Sequence, residues 1–273
     1  MSAGNAEATA HEAARSKPVR LLGRVGLVAY GLVHVLVAFL AIRIAIGESG
    51  SAKPSKGGAL QTIAEQPGGV VLLWLIVVGL AAFTVWQLAV AIWGHRNIQD
   101  RGSRTKRRVS SAAHALVVAA LAFTAAKTAL GKSSSGGGQQ TLTAKVLAMP
   151  AGFLLVGAVG VAVICVAANL VYRGWKKKFT EELDFKGASP AAVKSAIRLG
   201  QIGYGALGVA YGTVGMLIVV AAATHDANKQ TGLDAALKTL AEQPFGKILL
   251  GIIAVGLACF GLYCVLDARY RED

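Results

Sequence analysis

The chain has 273 residues, of which 54% are hydrophobic and only 15% charged, and its mean hydropathy is +0.55. Soluble chains carry roughly 25% charged residues, so a water-soluble globule is excluded and a polytopic helical membrane protein is expected. The balance is basic, with 28 Lys+Arg against 14 Asp+Glu, but these charges cluster beside apolar runs. That is a pattern of membrane topology and anionic lipid headgroups rather than of nucleic-acid binding.

Residues 1–18 are polar and Ala-rich, and predict a mobile cytoplasmic tail. Six apolar runs follow, at about 24–46, 70–93, 110–130, 151–172, 198–223 and 246–266. Each is long enough to cross a bilayer as a helix, the form that satisfies its own backbone in lipid. The first run is too long for a signal-peptide core and reads as an uncleaved span. Of the 28 Lys and Arg, 19 lie in the tails and in the loops after spans two and four. The positive-inside rule then predicts cytoplasmic termini in a bacterial plasma membrane, with Lys53, Lys132 and Lys229 outside.

Internal repetition organises the chain into 19–97, 105–179 and 193–271, each a pair of spans. Leu60-Gln-Thr-Ile-Ala-Glu-Gln-Pro67-Gly-Gly69 returns as Leu237-Lys-Thr-Leu-Ala-Glu-Gln-Pro244-Phe-Gly246, and is reduced to Leu147-Ala-Met-Pro150-Ala-Gly152 in the middle unit. Arg24, Gly26, Tyr30 and Gly31 are matched to Arg198, Gly200, Tyr204 and Gly205, with Arg108, Ser110, His114 and Ala115 between them. Proline is tolerated in a helix's first turn, so Pro67, Pro150 and Pro244 are expected to start the second helices. A short amphipathic helix at the outer interface is expected before each. Units with two spans keep their orientation, so they should relate by an axis along the membrane normal. The expected fold is all-α: six transmembrane helices as three repeated hairpins around a pseudo-threefold axis, forming one membrane domain.

These motifs, used over about residues 19–271, resemble a bacterial membrane family, mainly actinobacterial, catalogued as domain of unknown function 1206. The resemblance implies this fold and a membrane location, and brings no catalytic residues.

Chemistry-bearing motifs are sparse. No nucleotide loop, zinc-protease or nucleophile-elbow motif occurs, and the five histidines show no ligand spacing, so no metal, cofactor or catalytic residue is expected. Cys165, Cys259 and Cys264 lie in apolar runs and read as small hydrophobes. Gly205, Gly208, Gly212 and Gly215 fall on one helical face, suited to close packing within the bundle or against another copy. Intramembrane polar residues are the functional candidates: His34 near mid-span, and Gln87, His114, Asn169, Gln201, Tyr204 and Tyr263 nearer the inner side. They would bond between helices or line an inner vestibule. Asp267 closes the set, two residues before Arg269. The leading reading is a non-enzymatic scaffold or accessory protein whose partners are the bilayer, its anionic headgroups, and further copies or other membrane proteins. The alternative is a small-solute or proton carrier along the axis.

Overall fold

The computed structural model describes residues 17–47, 56–93, 101–131, 146, 149, 151–224 and 233–271. Pro150, the three outer-loop lysines 53, 132 and 229, and His11, His95 and His225 lie outside the described residues. The eight α-helices described are α1 (Lys17–Ala45), α2 (Lys56–Ala64), α3 (Gly69–Trp93), α4 (Arg101–Ala129), α5 (Gly152–Trp175), α6 (Pro190–Ala223), α7 (Leu233–Ala241) and α8 (Gly246–Tyr270). Six of them, α1, α3, α4, α5, α6 and α8, are long and apolar enough to span a membrane. The protein is a multi-pass membrane protein.

Helices outrun the apolar segments where their ends are well supplied. The start of α6 precedes the expected span because Ser189 accepts a hydrogen bond from the Ala192 N–H at 3.3 Å and Pro190 opens the first turn. The α1 helix already includes Lys17 and Pro18, and residues 1–16 of the expected tail lie outside the described residues.

The prolines before α3 and α8 sit outside the helix rather than in its first turn. Gly69 N–H donates to Gln66 O at 2.8 Å, Gly152 N–H to Met149 O at 2.9 Å, and Gly246 N–H to Gln243 O at 2.7 Å. In each turn the residue before the glycine has positive φ: Gly68 at 75°, Ala151 at 59° and Phe245 at 62°. Proline second, a left-handed residue third and an i→i+3 bond are the marks of a type II turn. The glycine that follows is sterically required in the outer two units. A Cβ on Gly69 would strike the Ile63 carbonyl, and one on Gly246 would lie 2.5 Å from the Ala241 carbonyl. The short helices α2 and α7 form as expected, but Ala59, Leu60 and Ile63, like Ala235, Ala236 and Leu237, are buried against the bundle rather than left to lipid.

The spans pack side by side in the order α5, α6, α8, α1, α3, α4. Burial follows that order: 61% of the α1 window and 50% of the α8 window are buried, 39% in α3 and in α6, and 22% and 17% in α4 and α5. Every junction between units joins the second helix of one to the first helix of another: α3 to α4, α5 to α6, α8 to α1. Hairpins α1/α3 and α6/α8 also close on themselves, whereas α4 and α5 share at most marginal contact.

Glycines explain the difference. A Cβ on Gly26 would lie 2.6 Å from the Gly79 carbonyl and 2.8 Å from Phe83 Cα, and one on Gly79 would lie 2.9 Å from Ala29 Cβ. In the third unit a Cβ on Gly203 would lie 2.6 Å from Phe260 Cα, and one on Gly256 would meet Ala206. So Gly203, not the motif residue Gly200, does what Gly26 does. The repeat is set three residues, nearly one turn, from the register that Arg-x-Gly-x-x-x-Tyr-Gly implies. Gly200 instead gives way to the Phe179 ring, with Cζ 2.5 Å from where its Cβ would be. In the middle unit Ser110 stands in place of Gly26, Ala162 in place of Gly79 and Val166 in place of Phe83. Without the glycine pair, Cβ atoms stand where the outer hairpins bring backbone against backbone.

Candidate functional site: an aromatic and charged column

A column of rings joins the three units near the end of the bundle where α1 begins and α8 ends. Tyr30 has its ring 4.4 Å from His34, 5.7 Å from His114, 6.0 Å from Phe83 and 6.3 Å from Phe260. Phe260 also meets His34 at 5.0 Å and Tyr204 at 5.4 Å, and Tyr204 lies 5.6 Å from Tyr263. Edge-to-face pairs of this kind add about 0.5–1.5 kcal/mol each beyond the area they bury. His34 is fully buried, and its Nδ1 lies 2.9 Å from the Tyr30 carbonyl of its own helix. A carbonyl only accepts, so Nδ1 carries the proton of that bond.

The other candidates divide. Gln87, Tyr263 and Asp267 are buried, while His114, Gln201 and Tyr204 are partly covered. Asn169 is exposed on α5. It occupies the position that Trp86 and Tyr263 hold in the closed hairpins, and in the middle unit that face is open. Gly208, Gly212 and Gly215 all turn toward α5: Cβ atoms there would lie 2.9 Å from the Ala167 carbonyl, 3.8 Å from Ala167 Cβ and 3.0 Å from the Gly160 carbonyl. A Cβ on Gly205 would meet nothing within 4 Å.

Below the rings lies an ion-pair knot that no motif in the sequence announces. After α5 the chain reverses at Lys177 (φ 56°) into a short 3-10 helix, Lys178–Glu182. This sends Phe179 inward, fully buried, with its ring 5.3 Å from Tyr204 and 5.2 Å from Tyr263. Glu182 then accepts from Arg173 at 2.7 Å and from Arg271 at 2.6 Å, and Asp267 lies 3.8 Å from Arg271. In sequence Asp267 stands nearest Arg269; the helix turn pairs it with Arg271 instead. The guanidinium of Arg271 also covers Trp86 at 4.7 Å. Asp184 N–H donates to the Tyr270 carbonyl at 2.7 Å, and Leu183 pairs with Arg271 in an antiparallel bridge. Thus the segment after α5 is tied to the end of α8. Burial would raise the Glu182 carboxyl, but Arg271 and Arg173 overcome that and hold it below its ordinary range. For Arg271 burial works against the charge, and Asp267 and Glu182 more than restore it, so its pKa is raised. The only signal in sequence is a run of three acids, Glu181, Glu182 and Asp184, inside an otherwise basic loop.

Fold and site together define a six-span membrane bundle made of repeated two-helix units and locked at one end by aromatic and ionic contacts. The chain belongs to the DUF1206 family (Domain of Unknown Function), whose model matches residues 25–94, 109–177 and 202–271. Those bounds set residue 25 against residue 202, which is the register of Gly26 with Gly203. The uncharacterized protein YxxB of Bacillus subtilis (strain 168) is 34% identical over 261 residues, covering 94% of this chain and 93% of its own length. No solved structure matches the chain.

Proposed function

We propose that the protein is a non-enzymatic scaffold of the plasma membrane that pairs with a second copy of itself through its open middle hairpin. The observation that carries this is the exposure of the two faces that the outer hairpins close. Ser110, Ala113 and Val117 on α4 are exposed, where Gly26, Ala29 and Val33 on α1 are buried. Ala162, Val166 and Asn169 on α5 are exposed, where Gly79 and Phe83 on α3 are buried and Trp86 is partly so. The α4 face of one copy can cover the α5 face of the other at the wider separation that side chains in place of glycine set, and a twofold axis makes that contact twice. Pairing also takes the Asn169 carboxamide from lipid onto a helix, where a hydrogen-bond partner is available.

In this reading the three units stand about an axis along the membrane normal, supported by the recurrence of one junction type between all of them. The Lys and Arg bias supports cytoplasmic termini. Co-expression of one chain carrying Ala113→Cys and another carrying Ala162→Cys, both with the natural cysteines changed to alanine, tests the pairing. A crosslinked heterodimer is expected. A link forming only inside a chain that carries both changes, or none in trans, overturns the proposal.

A further inference from the structure

The reversal after α5 presents two side chains from one turn. Phe179 and Glu182 stand three residues apart in the 3-10 helix Lys178–Glu182. That spacing eclipses them on one side, about 6 Å apart along the axis. Phe179 is fully buried, while Glu182 stands at the mouth with 38% of its side chain exposed. The ring fills a flat slot between α6 and α8. It stacks on Tyr204 at 14°, meets Tyr263 edge-on at 77°, and rests on Gly200, where a Cβ would collide with it. The carboxylate bridges two guanidinium groups from different segments, Arg173 on α5 at 2.7 Å and Arg271 just after α8 at 2.6 Å. Arg173 also lies over the Tyr204 ring at 5.6 Å, so the slot and the arginine pair are continuous.

The segment that carries this turn is bounded by left-handed residues, Lys177 (φ 56°) and Gly187 (φ 76°). Lys177 lacks glycine's freedom there, so the bend is held by what the turn docks into. Between the bends the chain is folded by its own bonds. Thr180 N–H donates to Lys177 O at 3.0 Å, Leu183 N–H to Thr180 O at 3.2 Å and Ala188 N–H to Phe185 O at 3.0 Å. The segment can therefore leave as a unit, breaking the Asp184–Tyr270 bond and the Leu183–Arg271 bridge without unwinding α5 or α6. Arg173 and Arg271 then lose the carboxylate they share, and Arg271 keeps only Asp267 at 3.8 Å among the acids of the described residues. What is vacated is an apolar slot shaped to a ring, with two guanidinium groups at its mouth. Guanidinium forks suit a carboxylate.

We infer that the Phe179–Glu182 turn is an internal plug on a binding site for a small aromatic carboxylate. The ligand's flat ring takes the Phe179 slot on Gly200, Tyr204 and Tyr263, and its acid group replaces Glu182 between Arg173 and Arg271. The site is separate from the α4/α5 faces, so its test is independent of self-pairing.

The full chain in nanodiscs provides the test, with 3-phenylpropanoate as the probe. A nitroxide on Lys178→Cys, with the natural cysteines changed to alanine, reports the turn. Saturable binding is expected with the plug sequence intact, the spin label gaining mobility as the turn is displaced. Hexanoate has the charge without the ring, and 3-phenylpropanamide the ring without the charge. Each should bind at least about tenfold more weakly than the acid. Phe179→Ala and Glu182→Gln weaken the plug, so both should tighten binding of the acid by raising the open fraction. Arg173→Gln should weaken the acid about tenfold and leave the amide unchanged. Should Phe179→Ala not fold, Glu182→Gln changes one half-exposed group and carries the comparison. The inference is overturned if the intact plug sequence binds no acid, or if only Phe179→Ala binds, which marks a cavity made by the substitution. It is equally overturned if Glu182→Gln weakens binding, or if the acid, hexanoate and the amide bind alike.

Discussion

Gly203→Ala is the substitution that tests the packing register most directly. Alanine gains about 0.8–1.0 kcal/mol over glycine in helix propensity. At Gly203 the new methyl would lie 2.6 Å from Phe260 Cα and 2.7 Å from Phe260 N, both backbone atoms of α8 that no rotamer change can move. The helices must separate, which also pulls Gly256 away from Ala206, and overpacking of this kind costs about 1–3 kcal/mol. The net expectation is destabilisation by up to about 2 kcal/mol once the propensity gain is subtracted. Gly205→Ala, two residues along, meets nothing within 4 Å and should be neutral or stabilising by up to ~1 kcal/mol. Gly200→Ala should also destabilise, but through the Phe179 ring, so combining it with Phe179→Ala should remove much of its separate cost, whereas Gly203→Ala should show no such coupling. Unfolding in mixed micelles, followed by circular dichroism and tryptophan fluorescence, measures all of these. A Gly203→Ala protein as stable as wild type, or one rescued by Phe179→Ala, would refute the register and the role given to this glycine.

Two further outcomes are expected. Phe245 holds a left-handed conformation while 83% exposed, so Phe245→Gly should raise stability by about 1 kcal/mol in the same unfolding assay; a loss of stability would mean that the ring has a packing role. Glu182 has a folded pKa below its ordinary value of 4.5, so the stability it contributes is complete above that value and fades as pH falls through the folded pKa. Its side chain is 38% exposed, which limits the contribution to about 1 kcal/mol. Melting curves should therefore show Glu182→Gln less stable than wild type at pH 7, with the gap narrowing as pH falls below 4.5; a gap independent of pH would show that the ion pairs are not its cause.

Much of the architecture is legible in the sequence because hydrocarbon is an uncompromising solvent. Apolar length alone selects helix, since a span in lipid must pair its backbone internally. Six spans, their approximate ends and the three units all follow from apolar runs, Pro67 and Pro244, and the repeated Ala-Glu-Gln-Pro. The burial of His34 is legible as well, because a polar ring at mid-span has no inexpensive place outside the bundle. Less is legible about the polar set: Gln87 is buried and Asn169 exposed, although both are amides within apolar runs.

What sequence alone determined is therefore the class of element and its repetition, both properties of local composition. Tertiary structure decided which repeated positions are equivalent in space and which helices meet. Glycine occurs often enough in these spans that Gly26 can be matched to Gly200 or to Gly203 by eye, and only the approach of Phe260 separates them. The same holds for the open hairpin, where Ser110, Ala162 and Val166 are each ordinary membrane residues. Their effect appears only when two backbones that would need glycine to touch are brought side by side. Glu182 and Arg271 are 89 residues apart in the chain. Their pairing, and the burial of Phe179 beside it, exist because a reversal at Lys177 carries the segment after α5 across to the end of α8, a long-range placement that no spacing in the sequence encodes.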